Sequence, residues 1–155
     1  MEGPSVEQQL RNFIRNMRDQ GILDHRFENL RRSEAHGDPQ VLTDEILIFI
    51  VDADISTAEI TSLMNNPALD YQTLGEQLYQ LRRKTARVGG FRMVAACLEF
   101  CQAIDARDKA RCVEGFHGII NEYRDFRICL VSILQMLEQL IQAQRLNVEN
   151  RRRRP

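Results

Sequence analysis

The feature that most constrains this chain is its last third. From Asp108 through Leu146 no proline interrupts an apolar series that recurs at helical spacing: Val113, Phe116, Ile119, Ile120, Tyr123, Ile128, Val131, Leu134, Leu137 and Ile141. A periodic run of that length predicts one long bundle helix. Such a helix needs partners of similar length, and the preceding sequence supplies them. Aromatic residues are only 6% of the 155 residues, Trp is absent, and Gly and Pro number eight and four. That leaves little material for the repeated tight turns of a β-sandwich or barrel.

Punctuation places five further helices. Val6 to about Gln20 carries Leu10, Phe13, Ile14 and Met17 at helical spacing and stops at Gly21. Asp24 caps a short second helix through Leu30 and Arg31. His36-Gly37-Asp38-Pro39 breaks the chain, and a third helix follows to about Met64. Its middle, Ile46 to Val51, is apolar on every side; the flanking acids and the continuing period at Ile55, Ala58 and Leu63 favour a buried helix over a β-strand. Asn65-Asn66-Pro67 ends it, and Asp70 caps a fourth from Tyr71 to about Arg87. Gly89-Gly90 separates that from a fifth, Phe91 to about Ala106. Short links between long amphipathic helices make antiparallel neighbours. The expected fold is all-α: an antiparallel up-and-down four-helix bundle built from the last four helices, with the two N-terminal helices packed on one end. Residues 1–146 then form a single domain, with the helical pair in about 1–36 and the bundle in 38–146, and residues 147–155 are an Arg-rich, solvated tail.

Charge excludes some functions. The 21 basic residues, 19 of them Arg, nearly balance 22 acids, but four of the Arg lie in the tail Arg151 to Arg154, and the body without them carries a net charge of about −5. A duplex-binding surface needs clustered positive charge, so no nucleic-acid partner is expected. The first residues lack the basic and apolar blocks of a signal peptide, and the Ile46 to Val51 run is far short of the ~20 residues needed to cross a bilayer. No membrane is expected, and the chain is read as soluble and intracellular, its four cysteines as reduced thiols. Cys97 and Cys101 lie one helical turn apart, about 5–6 Å between Cβ atoms, too far for a relaxed disulfide. With Val94, Leu98 and Ile104 they read as a buried apolar face. His25, His36 and His117 show no ligand spacing, so neither a metal site nor a cofactor is expected.

The distribution of charge along the chain is more informative than its sum. From Ser33 through Leu81 there are nine acids and no Lys or Arg, whereas Arg82 to Arg92 hold Arg82, Arg83, Lys84, Arg87 and Arg92 and no acid. Such segregation either builds a field that steers an acidic partner or reflects cations near the negative end of a helix dipole. On the fourth helix, Leu74, Leu78, Leu81, Thr85 and Val88 fall on one stripe and face the core, which turns Tyr79 outward, about 140° from the stripe's centre. Gln72, Gly75, Glu76, Arg82, Arg83 and Ala86 share its exposed face, with Arg87 at the end. An exposed Tyr flanked by Arg is a frequent composition at interaction hot spots. Gly75 costs about 1 kcal/mol relative to Ala in a helix, which suits either a surface that a partner approaches closely or a tolerated defect.

The stretch Leu78-Tyr79-Gln80-Leu81-Arg82-Arg83-Lys84-Thr85-Ala86-Arg87-Val88-Gly89-Gly90, followed by Phe91-Arg92-Met93-Val94, resembles the active-site helix of plant histidine-containing phosphotransfer proteins. There the segment reads roughly Val-His-Gln-Leu-Lys-Gly-Ser-Ser-Ala-Ser-Val-Gly-Ala. The likeness extends to Leu23-Asp24, the third helix, Asp70-Tyr71 and Cys97-Leu98-Glu99-Phe100, spanning about residues 20–140. It implies the same helical bundle. The departures fall on the chemistry: Tyr79 stands where the family has its phosphoryl-accepting histidine, Arg82 keeps the charge of a Lys, Arg83 replaces a Gly, and Lys84 a Ser. This pattern is similar to that of pseudo-phosphotransfer proteins. A relay histidine offers an unprotonated nitrogen near pH 7 and forms an energetic phosphoramidate. A phenol with a pKa of about 10 is a poor nucleophile, and its phosphate ester is too stable to hand on. The resemblance therefore implies no enzyme and no catalytic residue. It implies a binding module in a plant cytokinin-type phosphorelay, in the cytoplasm and nucleus, whose partners are receiver domains of response regulators and hybrid histidine kinases. The alternatives are a helical scaffold with unrelated partners and a residual phosphorelay carrier.

Overall fold

The computed structural model describes residues 3–154. Six helices follow in order, α1 (Val6–Asp19), α2 (His25–Asn29), α3 (Pro39–Asn65), α4 (Tyr71–Arg87), α5 (Phe91–Asp105) and α6 (Lys109–Arg153), with no strand among the described residues. The short α2 continues, past the expected end at Arg31, through a π-helical turn at Leu30–Glu34. The expected caps act as such. Asp24 accepts from the Arg26 N–H at 2.9 Å, Asp70 from the Thr73 N–H at 3.1 Å, and Asp108 from the Arg111 N–H at 3.2 Å. Each such cap is typically worth about 1 kcal/mol.

Helices α3 to α6 form a closed ring of neighbours, α3 on α4, α4 on α5, α5 on α6 and α6 on α3, while α1 packs on α6 and α2 against α4. The expected α4 stripe is the wall of this core: Leu74, Leu78, Leu81, Thr85 and Val88 are all buried. Each fully buried Leu or Val contributes about 1.5–3 kcal/mol of transfer free energy. Phe27, Phe100 and Phe126 are the largest buried side chains, and Phe49 meets Phe126 with ring centroids 5.5 Å apart. A polar cluster at the edge of the core, with Tyr123 buried and Asp54 and Arg127 partly exposed, ties α3 to α6. The Tyr123 hydroxyl donates to Asp54, and Arg127 donates to both Asp54 oxygens at 3.1 Å. The Arg127 hydrogen bonds hold the Asp54 carboxyl below its ordinary range.

Four expectations are corrected. The apolar middle of α3 is helical but not buried all round: Ile46, Phe49 and Ile50 enter the core, whereas Leu47, Ile48 (59% exposed) and Val51 (57%) face outward with Ile55. A helix in a ring of four has only one side to bury. On α6, likewise, Val113 and Ile128 (60% exposed) point to solvent and the core stripe runs through Cys112, Ile119, Tyr123, Phe126, Leu130, Ile133 and Leu137. On α5, Cys97 is buried, but Cys101 is half-buried and Leu98 is exposed. Finally, the last helix passes its expected end at Leu146: α6 continues to Arg153, because no Gly or Pro interrupts it and Arg153 pairs with Glu149 one turn earlier at 2.9 Å.

One stretch of α6 is long and apolar enough to cross a bilayer by length and composition, although α1, α3 and α5 pack against this helix. Its last turns, residues 142–154, are exposed. Deleting residues 148–155 should therefore leave the thermal midpoint of the protein within about 2 °C of the full chain, since almost no buried apolar surface is lost. A large drop on thermal denaturation followed by circular dichroism contradicts this.

Candidate functional site

The outward face of α4 carries the expected residues. Tyr79 is 46% exposed, the most exposed tyrosine of the three. The Arg82 and Arg83 guanidinium carbons lie 5.5 and 5.8 Å from the centroid of its ring. Both contacts follow from helical geometry, since residues three and four positions on lie over the same surface, and an Arg over a phenol ring gains cation–π attraction of about 0.5–1 kcal/mol at an exposed site.

The basic cluster divides in two. Arg87 donates to Glu45 at 2.9 Å and to Glu34 at 2.6 Å, and the Glu45 hydrogen bond raises its pKa further. Lys84 pairs with Asp52 at 3.7 Å, and Arg92 with Glu122 at 3.0 Å and Asp125 at 3.4 Å. Among the described residues no ion pair engages Arg82 or Arg83. The segregated charges of the sequence are therefore brought together in space. Part of the acidic stretch folds against part of the basic one, and two cations over Tyr79 are left for an external anion. Arg87, also expected at the partner surface, clamps the end of α4 to α3 and to the π-helical turn after α2 while remaining half exposed.

Sequence reading missed the other side of the site. Tyr71, Gly75 and Tyr79 recur at i, i+4 and i+8, so the two phenol rings stand on either side of a glycine one turn from each. They border a groove of about 620 Å³ that also touches Arg82, Ile104 and Arg107. Arg107, in the α5–α6 turn with φ 51, stacks over Tyr71 at 5.4 Å, and the Tyr71 hydroxyl donates to its carbonyl at 3.3 Å. A Cβ at Gly75 would meet only Ile104, at an ordinary 3.6 Å. Internal packing does not demand the glycine; its effect is to leave the floor of the groove low. Gln72 and Glu76 border the same groove, whereas Arg83 and Ala86 lie beyond its lining toward the end of α4. Tyr71 could be found from the i, i+8 spacing; Arg107 could not, since it arrives from a turn 36 residues away.

The groove offers little nucleophilic chemistry of its own. Cys101 borders it, but burial pushes that thiol's pKa up and carries the neighbouring Cys97 up to about 12, so neither supplies much thiolate near neutrality. What the face presents is shape, three guanidinium–phenol contacts on two tyrosines, and three arginines that no ion pair engages among the described residues. That is the equipment of an interaction surface on a helical bundle.

No protein-family model matches the chain. It is nevertheless similar along nearly its whole length to histidine-containing phosphotransfer protein 2 of Oryza sativa subsp. japonica, 27% identical over 144 residues, which cover 92% of this chain and 96% of that protein. It is also similar to pseudo histidine-containing phosphotransfer protein 6 of Arabidopsis thaliana, 22% identical over 139 residues, 89% of either chain. The crystal structure of a maize histidine-containing phosphotransfer protein matches with a TM-score of 0.80 and 25% identity, covering 88% of this chain and 99% of the maize one. The bundle thus has the fold of these proteins. Its homologues are plant histidine-containing phosphotransfer proteins, pseudo members among them.

Proposed function

We infer that this protein is a non-catalytic pseudo-phosphotransfer protein that binds receiver domains of response regulators or hybrid histidine kinases and competes for them with active phosphotransfer proteins, in a cytokinin-type phosphorelay of the plant cytoplasm and nucleus. The observation that carries the reading is Tyr79 with Arg82 and Arg83 over its ring. A phenol occupies the position at which the resemblance expects the accepting imidazole, and it is a poor acceptor and a worse donor of a phosphoryl group. The two guanidiniums above it are free to meet the acidic phosphorylation pocket of a receiver, so a complex forms in which no transfer follows. Gln72, Gly75, Glu76 and Ala86 complete the contact face along α4.

The test is binding and competition against a panel of receiver domains, with and without Mg²⁺. The protein is expected to bind at least one receiver, to slow its exchange with an active phosphotransfer protein, and to take up no acid-labile phosphate. Arg82→Glu with Arg83→Glu should weaken that binding by more than about 1 kcal/mol, and wild-type affinity should fall as salt rises. Unchanged affinity in the double variant means the complex uses another surface. Failure to bind any receiver leaves a helical scaffold with other partners, and acid-labile labelling leaves a residual carrier.

A further inference from the structure

The end of the molecule built by α1 and α2 carries a second concentration of arginine that shares no residue with the Tyr79 groove. Arg11, Arg15 and Arg18 recur at i, i+4 and i+7 on the exposed surface of α1, roughly a quarter turn around the helix from Leu10 and Ile14, which enter the core. Facing them are Arg31 and Arg32, from the π-helical turn that follows α2. Between the two elements lies a groove of about 440 Å³, with the buried Ile14 in its wall. Its carboxylates are Asp19 and Glu28. Glu28 stands between the two turn arginines, 3.5 Å from Arg31 Nη1 and 3.2 Å from Arg32 Nε, and so fixes where those guanidiniums sit. Its buried Oε2 accepts no well-formed hydrogen bond.

Five guanidiniums against two carboxylates leave about three positive charges in one concavity. Among the described residues no ion pair engages Arg11, Arg15 or Arg18. Like charges one turn apart on a helix repel, and here they face two more across the groove, in a body whose net charge is otherwise negative. A counter-anion relieves that repulsion. Its nature follows from the donors and the shape. All five cations are arginine, whose planar fork pairs bidentately with phosphate oxygens. The groove is short and enclosed on two sides, which suits several charges gathered on a small frame; a nucleic acid needs a basic track that continues along the surface.

We propose that the groove between α1 and the turn after α2 binds a compact polyphosphorylated anion, either a free inositol polyphosphate or the same chemistry presented as a phosphoinositide headgroup.

The probe is inositol hexakisphosphate, titrated calorimetrically into the full chain at about 0.15 M salt, where exposed long-range attraction is largely screened. One molecule per chain should bind, with a dissociation constant on the order of micromolar. Arg15→Glu with Arg18→Glu should weaken it at least tenfold, while replacing Arg151 to Arg154 by Ala should leave it unchanged, circular dichroism reporting both variants folded. A second arm uses vesicles with and without phosphatidylinositol 4,5-bisphosphate: selective capture assigns the headgroup as the source, and titration without capture assigns the free anion, both supporting the site. Absence of binding, equal binding by the α1 double variant, or loss of binding in the tail variant overturns it. Receiver binding through the Tyr79 face is read separately, so either result stands without the other.

Discussion

Replacing Gly89 by Ala is expected to destabilise the protein by about 3 kcal/mol. Gly89 sits just past the end of α4 with φ +75, a conformation that costs an L-residue about 1–2 kcal/mol. A Cβ there would also stand 2.5 Å from the Phe27 backbone nitrogen and 3.0 Å from Asp24 Oδ1. Neither neighbour can give way cheaply. The Asp24 N–H donates to the Gly89 carbonyl at 2.9 Å, Asp24 caps α2, and Phe27 is fully buried. Overpacking of such a site adds about 1–3 kcal/mol. Gly21 provides the control. It has the same φ of +75, but its nearest neighbour would be the flexible Arg92 side chain at 3.8 Å, so Gly21→Ala should cost only the backbone term. Urea unfolding of the two variants measures the difference; equal losses would mean that the contact between the end of α4 and α2 yields freely.

The register of α4 was legible because four kinds of signal agree on it: a capping Asp70, a strict apolar stripe, cations in the last turn and a double glycine beyond. Periodicity alone does less for α3. It identifies Ile46 to Val51 as helical, but the same apolar residues fit a helix buried all round and one half-exposed, and only the ring of neighbours decides that Ile48 and Val51 face outward. The end of α6 was illegible for the opposite reason. Asn147, Val148 and Asn150 are weak helix formers, yet nothing there forbids a helix, and the backbone hydrogen bonds of a long preceding helix propagate through them. The candidate site was half readable. Tyr79, Gly75 and the Arg82–Arg83 pair follow from one helical face. The engagement of Arg87 with Glu34 and Glu45 does not, because those partners lie 53 and 42 residues away in sequence. Charge clusters in a sequence do not say which charges the fold will neutralise.

Restoring the nucleophile alone is expected to yield little phosphoryl transfer. Tyr79→His would place an imidazole on the exposed face of α4, at the position the resemblance assigns to the accepting histidine. It would lie beneath the two guanidiniums that now cover the phenol at 5.5 and 5.8 Å. Those cations keep the ring unprotonated, which favours attack, but they occupy the space through which a receiver's aspartyl phosphate must come in line. They would also pair with a phosphoryl group once attached and slow its return. Neither is held by an ion pair among the described residues, and Arg83 is the one to remove because Arg82 keeps the positive charge that the resemblance assigns to the family's Lys. The triple variant Tyr79→His, Arg83→Gly, Lys84→Ser should therefore accept phosphate from a phosphorylated receiver at least tenfold faster than Tyr79→His alone. Its stability cost should be about 1 kcal/mol from the new glycine, reduced by its place in the last turns of α4, with little added by loss of the exposed Lys84–Asp52 pair. Rates are read from acid-labile label on the chain. Equal rates for the single and triple variants would make the missing histidine the whole cause of inactivity. If both variants fold and bind receivers while neither takes up label, the receiver docks on the Tyr79 face in a geometry that no longer brings its phosphoryl group to position 79.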